Sequence, residues 1–287
     1  MPSAPVCPFP GDGRNNTGSG VCACRAPAAT LEWMTPQQVQ ERIGQLSPWF
    51  YEFDLGALGR TTSELPPEAL PIHATRLEMV RHAVHRHFGT RVNQIRCIDA
   101  GCHEGFYSVA MARAGVREVH GFDVREASLE KARFIASALQ LRNLSFAHGN
   151  CEDLTSYQEP YELCLFLGVL YHLENPMLCL RNLARITGEI CIVETQVADE
   201  VEGSVEWGSR LWTRPYQGVL ALIDESAEYY NERPETGATP IATCPSPQAL
   251  HFMLKHAGFR KTEIMEPPAG AYEQLARRKR VVCVAYK

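Results

Sequence analysis

Asp99, Gly101, His103, Gly105 and, about 18 residues beyond Gly105, Asp123 have the types and spacing that chemistry needs. Gly101 and Gly105 lack a Cβ, so the backbone can turn tightly there and a ligand can approach it closely. The helix expected to begin near Glu104 would present free N–H groups to a carboxylate or a phosphate. An acid at the position of Asp123 can accept both hydroxyls of a ribose. Asp99 puts a negative charge at the turn, which repels a pyrophosphate and suits an ammonium group. A ligand that joins an amino-acid zwitterion to a ribose therefore fits better than a dinucleotide, and S-adenosylmethionine (SAM) is such a ligand. His103 stands where a third glycine would be easiest. A positive φ there would cost on the order of 1–2 kcal/mol, so the loop is expected to take another path.

A second group of reactive residues follows the stretch Leu167-Gly168-Val169-Leu170-Tyr171-His172. Ligands of open α/β sheets bind beyond the carboxyl ends of the strands, which places Tyr171 and His172 near the reacting group and Leu167 and Gly168 along the cofactor cleft. His172 is the first candidate for a general base because histidine needs little tuning to accept a proton near neutral pH. Glu194, ending the next apolar run, is the second, and His73 a distant third. Asn150 can accept an adenine amine through its amide carbonyl, with Cys151 beside it and Val124 beside Asp123. Two aromatic-rich stretches, Trp49–Phe53 and Trp207–Tyr230, are expected to meet over the cleft. Trp49, Tyr51, His73, Trp207 and Trp212 would then face the acceptor, and Arg210 or Arg214 would pair with an anionic group on it.

These residues must be held by regular elements. The run Gln94–Arg125 reads as a strand, a turn, an amphipathic helix and a second strand ending in an acid, which is a βαβ unit. Ala127–Leu139 continues as a helix, Leu144–Gly149 as a third strand, Leu163–Gly168 as a fourth and Gly188–Gln196 as a fifth. Ser246–His256 reads as a helix closed by Gly258, and Thr262–Met265 with Arg280–Tyr286 as a final hairpin-like pair. The expected fold is α/β: a Rossmann-like, seven-stranded, mostly parallel sheet with helices on both faces, an N-terminal lid segment and an insertion after the fifth strand. Residues 1–30, rich in Pro, Gly, Ser and Asn, read as a flexible tail, 31–90 as a helical lid region and 91–287 as the main domain, with the insertion at about 197–243.

Composition bounds the function classes. A chain of 287 residues with 45% hydrophobic and 21% charged residues has the make-up of an ordinary globular protein. Its net charge of −5 gives no sign of a polyanion partner. No apolar run is long enough to span a membrane, and no secretory leader is evident, so a cytoplasmic location is expected. The 11 cysteines include no Cys-x-x-Cys pair, and Cys97, Cys164, Cys191 and Cys283 lie in strand-like runs as small hydrophobes, so no metal site is expected.

The acidic-x-Gly-x-x-x-Gly turn, the stretch Gly168–His172 and the strand ending Val193-Glu194-Thr195 together resemble the class I SAM-dependent methyltransferases. Over roughly residues 47–287 the chain is similar to the bacterial tRNA wobble-uridine carboxymethyltransferase superfamily and its uncharacterised relatives. The resemblance implies SAM as cofactor and S-adenosylhomocysteine as product. It also implies that an Asp would often stand at Asn150. In the carboxymethyltransferase the tyrosine matching Tyr171 helps to hold the carboxylate of carboxy-SAM, with a lysine and an arginine. The segment that supplies that lysine has no match here, Trp49–Gly56 taking its place, so plain SAM is expected. The reading is methyl transfer to an oxygen or nitrogen of a small-molecule acceptor. One alternative is a tRNA wobble-uridine (carboxy)methyltransferase, for which Arg277-Arg278-Lys279-Arg280 would be a basic face. The other is a SAM-binding protein without catalysis.

Overall fold

The first element among the described residues is α1 (Pro36–Gln45), which opens on a reciprocal cap. Gln38 N–H donates to Thr35 Oγ1 at 3.3 Å, and Thr35 N–H donates to Gln38 Oε1 at 2.7 Å. The computed structural model describes residues 34–206, 208, 213–230, 236–237 and 239–287. The expected tail at 1–30 lies outside the described residues, as do Trp207, Arg210 and Trp212 of the expected acceptor wall.

After α2 (Pro71–Phe88) come β1 (Arg96–Ala100), α3 (Phe106–Arg113), β2 (Glu118–Asp123), α4 (Glu126–Ala138), β3 (Leu144–His148), β4 (Tyr161–Leu167), α5 (Pro176–Ile186) and β5 (Thr187–Gln196). The insertion holds two short strands, β6 (Ser204–Val205) and β7 (Arg214–Pro215), then β8 (Leu220–Asp224), α6 (Ser226–Tyr230) and β9 (Ile241–Pro245). The chain closes with α7 (Pro247–Ala257), β10 (Lys261–Ile264), α8 (Glu273–Ala276) and β11 (Arg280–Tyr286). Seven strands form one sheet in the order β3-β2-β1-β4-β5-β11-β10. Strands β1 to β5 run parallel, and β11 and β10 are each antiparallel to their neighbours. The expected seven-stranded, mostly parallel sheet is therefore present.

The reason is the residue pattern. Leu163–Leu167 of β4 and Ile190–Val193 of β5 are apolar at every position and buried, as strands covered on both faces must be. Ile98, Cys164, Phe166, Cys191, Val193 and Cys283 pack in one cluster with Leu180, Leu183, Leu250 and Leu254 from α5 and α7. Each such Leu-sized side chain stabilises the fold by about 1.5–3 kcal/mol when fully buried. The sheet order reverses between β1 and β4, so their carboxyl ends, Ala100 and Leu167, open a crevice at the switch point.

Residues 35–287 form one compact unit, in which residues 35–95 pack onto the sheet. Trp49 is central to that packing. It is buried, its Nε1–H donates to Ile43 O at 2.9 Å, and its ring meets Phe53 and, from α4, Phe134 and Lys131. The structure thus places Trp49 in the core and not against an acceptor.

Candidate active site

The turn after β1 has positive φ at Gly101 (+72°), His103 (+51°) and Gly105 (+80°). His103 therefore takes the left-handed conformation itself, where another loop path was expected. Its main-chain N–H donates to Asp123 Oδ2 at 2.8 Å, and its ring stands edge-on to Phe50 with centroids 5.1 Å apart. A left-handed residue costs about 1–2 kcal/mol, and a hydrogen bond to a charged group contributes about 1.5–3 kcal/mol, so the bond offsets the strain. Gly101 and Gly105 differ in what demands a glycine. Gly101 lies on the cavity wall, and a Cβ there would come within 2.5 Å of Val169 Cγ2. Gly105 lies off the wall; a Cβ there would come within 2.6 Å of Phe146 Cζ, so it is the fit of α3 against β3 that requires it.

A cavity of about 380 Å³ opens at the switch point. Along one side run Gly101, His103, Asp123, Val124, Asn150, Cys151, Leu167 and Gly168. The carboxylate of Asp123 is fixed by two main-chain donors, His103 N to Oδ2 and Arg125 N to Oδ1 at 2.9 Å. Each oxygen keeps lone-pair capacity for a diol. Asn150 Oδ1 accepts from Glu152 N at 2.9 Å, which sets the amide plane, and Cys151 Sγ lies 3.1 Å from Cys179 Sγ. A carboxylate that can take a ribose, a carboxamide for an adenine edge and a glycine-lined floor suit the adenosyl part of SAM. Asp99 is placed elsewhere: it is buried behind the turn, accepts from Ser108 Oγ at 2.6 Å and is off the wall. Burial holds its carboxyl up at about 7, against the opposing pull of Ser108.

The other end of the cavity is lined by Phe50, Tyr51, His73, Arg76, Tyr171, His172, Gln274 and Arg280. Tyr171 and His172 sit on a short 3₁₀ turn, Leu170–His172, just past β4. Arg280 Nη2 donates to the Tyr171 hydroxyl at 2.8 Å, and its guanidinium lies over the Tyr171 ring at 4.7 Å. His172 Nδ1 is 3.0 Å from both carboxylate oxygens of Glu225. Glu194 lies behind the wall, fully buried between two arginines, with Arg280 Nη1 at 2.9 Å and Arg76 Nε at 3.2 Å from Oε1. Lying off the cavity wall and turned toward the two guanidiniums, it is poorly placed to meet a ligand. His73 is buried without a hydrogen-bond partner on either ring nitrogen. Burial, then the charge of Arg76, brings its pKa down to about 3, so the ring is neutral. The Tyr51 ring lies 4.4 Å from it.

Phe50 and Tyr51 are held over this end by Glu104, a buried residue of the turn. Its carboxylate accepts from Phe50 N and Tyr51 N at 3.0 Å and from Lys131 Nζ at 2.8 Å. A second cavity of about 570 Å³ lies against the first, sharing Phe50, His103, Arg125, Thr236 and Gly237 and adding Tyr229 and Tyr230. Phe50 and Tyr229, one from each of the two aromatic stretches, both line this second cavity. Arg125 also donates to Thr236 O, bringing the insertion to the rim.

Three residues at this site were not anticipated. Arg76 could have been found, lying three residues from His73 on one helix face. Arg280 was grouped with an exposed basic run, although it precedes the apolar Val281–Val284 and so begins a buried strand. Glu225 carries no local signal, since its place depends on how the β8–β9 hairpin folds back.

The chain matches the model of the family described as methyltransferase domain over residues 92–258. It is 28% identical over 184 residues to a tRNA U34 carboxymethyltransferase of Pseudomonas paraeruginosa, covering 62% of this chain and 49% of the relative. It is 32% identical over 124 residues to a ubiquinone biosynthesis O-methyltransferase of Maricaulis maris, covering 40% and 48%. The chain thus spans about half the length of the curated relatives it matches. Among solved structures, the N-terminal domain of EvdMO1, crystallised with SAH and D-fucose, superposes with a TM-score of 0.61 at 20% identity, covering 88% of this chain and 95% of that one. Magnesium protoporphyrin IX methyltransferase of Synechocystis PCC 6803 with bound SAH gives 0.52 at 15% identity, covering 79% and 90%. Both share the fold.

Proposed function

The chain belongs to the methyltransferase-domain family, and we propose that it transfers the methyl group of SAM to an oxygen or nitrogen of a small-molecule acceptor. The observation that carries this reading is that Asp123 and His172 line one cavity, a carboxylate toward one end and an imidazole toward the other. SAM supplies an already activated methyl group on a sulfonium. What remains for the protein is alignment, exclusion of water and removal of a proton. Asp123 orients the ribose, Asn150 and Cys151 meet the adenine, and Gly101, Val124, Leu167 and Gly168 shape the floor, with His103 closing its edge. Phe50 and Tyr51 keep water from the reacting end, where alignment is worth up to roughly 7–11 kcal/mol. His172 takes the acceptor proton, worth about 10²–10⁴-fold, while Tyr171 and His73 bound the acceptor space. The test is transfer from [methyl-¹⁴C]SAM into an ultrafiltered small-molecule pool and, separately, into total tRNA. Label in the small-molecule pool is expected; label confined to tRNA would sink this reading.

A second reading has one observation in its favour. Among the described residues, Arg76 and Arg280 share one carboxylate, that of Glu194, which leaves one positive charge in excess beside the Tyr171 hydroxyl. That surplus suits a donor carrying a carboxylate, and the tyrosine–arginine half of the carboxymethyltransferase set is thereby matched. The lysine is not: the described residues of the cavity wall include none. Carboxy-SAM binding more tightly than SAM in a calorimetric competition would favour this second reading and a tRNA acceptor.

A further inference from the structure

We propose that Glu225 is the positioning residue of the transfer: it keeps the proton of His172 on Nδ1, so that Nε2 takes the proton of an acceptor hydroxyl. The proposal rests on the methyltransferase reading for its second half only. Its first half follows from hydrogen-bond chemistry. An ionised carboxylate can only accept, so the Nδ1 that lies 3.0 Å from both Glu225 oxygens must be the donor. The lone pair of the neutral ring then sits on Nε2. Among the described residues Nε2 has no protein partner, and His172 is part of the cavity wall. An unrestrained histidine favours the opposite tautomer, with the proton on Nε2, which could not act as a base toward the cavity.

The arrangement is built and not incidental. The two side chains are 15% and 16% exposed, so the pair is largely shielded from water. The imidazole packs against Tyr171 with centroids 4.0 Å apart, and Tyr171 is itself held by Arg280. The hairpin that carries Glu225 is docked on the same turn. Thr243 Oγ1 donates to Leu173 O at 2.9 Å, and a Cβ on Gly237 would come within 2.1 Å of His172 O, so only glycine fits there. Glu225 therefore faces His172 because the returning arm of its hairpin is docked on the turn that carries the imidazole.

The class of acceptor follows from the need for such a base. A carboxylate or a neutral amine can attack without losing a proton first, whereas a hydroxyl gains most from losing one. The surplus positive charge at Arg76 and Arg280 also disfavours an ammonium-bearing acceptor. In the step, the hydroxyl proton passes to Nε2 as the oxygen bonds to the methyl carbon. The carbon–sulfur bond breaks with its electron pair left on sulfur, and the product is a methyl ether. Glu225 stabilises the imidazolium that results.

The experiment is ¹⁵N NMR of the histidine rings in the full chain with saturating S-adenosylhomocysteine, with His172→Gln identifying the signals. The expected wild-type spectrum has a protonated Nδ1 and a bare Nε2. Glu225→Ala should revert to the Nε2–H form, and Glu225→Gln should keep Nδ1–H, because its amide oxygen still accepts. An Nε2–H tautomer in the wild-type protein, or one unchanged in Glu225→Ala, overturns the role of Glu225; the wild-type spectrum decides even where a variant fails to fold. A calorimetric titration with S-adenosylhomocysteine on the same sample isolates the wider reading, because absent binding sinks the methyltransferase assignment whatever the tautomer. The labelled product gives the acceptor class: methyl carried on a hydroxyl oxygen and stable to mild alkali is expected. Methanol released by alkali, or methyl on nitrogen, refutes it.

Discussion

Replacing Glu194 with Gln tests whether that residue serves the fold or the chemistry. The carboxylate is 0% exposed, and one of its oxygens meets Arg76 Nε at 3.2 Å and Arg280 Nη1 at 2.9 Å. Glu194→Gln keeps the shape and removes the charge, leaving two buried guanidiniums facing each other. Because both nitrogens touch a single oxygen, they are no farther apart than about 6 Å, and at an effective dielectric near 20 they repel by about 3 kcal/mol. Breaking a buried pair by removing one partner costs about 3–5 kcal/mol, which agrees. For a unit of this size each kcal/mol moves Tm by about 2–4 °C, so a fall of about 6–12 °C is expected, with the urea midpoint shifting in parallel. The double variant Glu194→Gln/Arg280→Met should regain much of the loss, since it removes the repulsion between the two guanidiniums. A Glu194→Gln protein that melts within about 2 °C of its parent yet transfers no methyl would refute this reasoning and return Glu194 to the role of base.

Asp123→Ala removes the acceptor of two ribose hydroxyls, and S-adenosylhomocysteine should bind about 10- to 100-fold more weakly by calorimetry; unchanged affinity would exclude Asp123 from the ribose. His73 has a pKa of about 3 in the folded chain against 6.5 unfolded, so the unfolded state takes up a proton first. Its contribution is therefore complete above pH 6.5 and is lost as pH falls toward 3, about 2 kcal/mol being gone at pH 5; His73→Phe should flatten the acid limb of a urea-midpoint profile. Trp49→Ala should destabilise by about 3–5 kcal/mol while methyl transfer per folded molecule stays normal, and the opposite pattern would restore it to the acceptor wall.

The sheet was legible because its signals are local and repeated. Apolar runs at β1, β4 and β5, each ending at an acid or a glycine, locate both the strands and the edge of the crevice without any tertiary knowledge. The Asp123 side of the cavity was legible for the same reason, that residue being placed by its strand. The reacting end was not, because its groups come from four separated parts of the chain: α2, the turn after β4, the insertion and the start of β11. Glu194 shows the difficulty. An acid at the end of a strand reads as catalytic until Arg76 and Arg280, 118 and 86 positions away from it in either direction, are seen to neutralise it. Gly105 shows a different one: its type was read correctly as a demand for space, but the occupant of that space is Phe146.

The grip of Glu104 on Phe50 and Tyr51 decides which wall of the cleft can serve as its door. Swinging that segment outward would break the main-chain bonds of Phe50 and Tyr51 to the Glu104 carboxylate and the ammonium bond of Lys131 to Pro48 O. Even at about 1.5 kcal/mol for each, the open form would be populated by fewer than one molecule in a thousand. The Phe50 side therefore travels with the cofactor turn as a single rigid piece. On the opposite side, beyond the shared rim of Arg125, Thr236 and Gly237, the adjoining cavity is bounded by Tyr229 and Tyr230 of a five-residue helix with no buried residue. Traffic in and out of the cleft is thus directed through the insertion. The rate of product departure should accordingly respond to substitutions at Tyr229 and Tyr230, and remain indifferent to those on the outer face of α1.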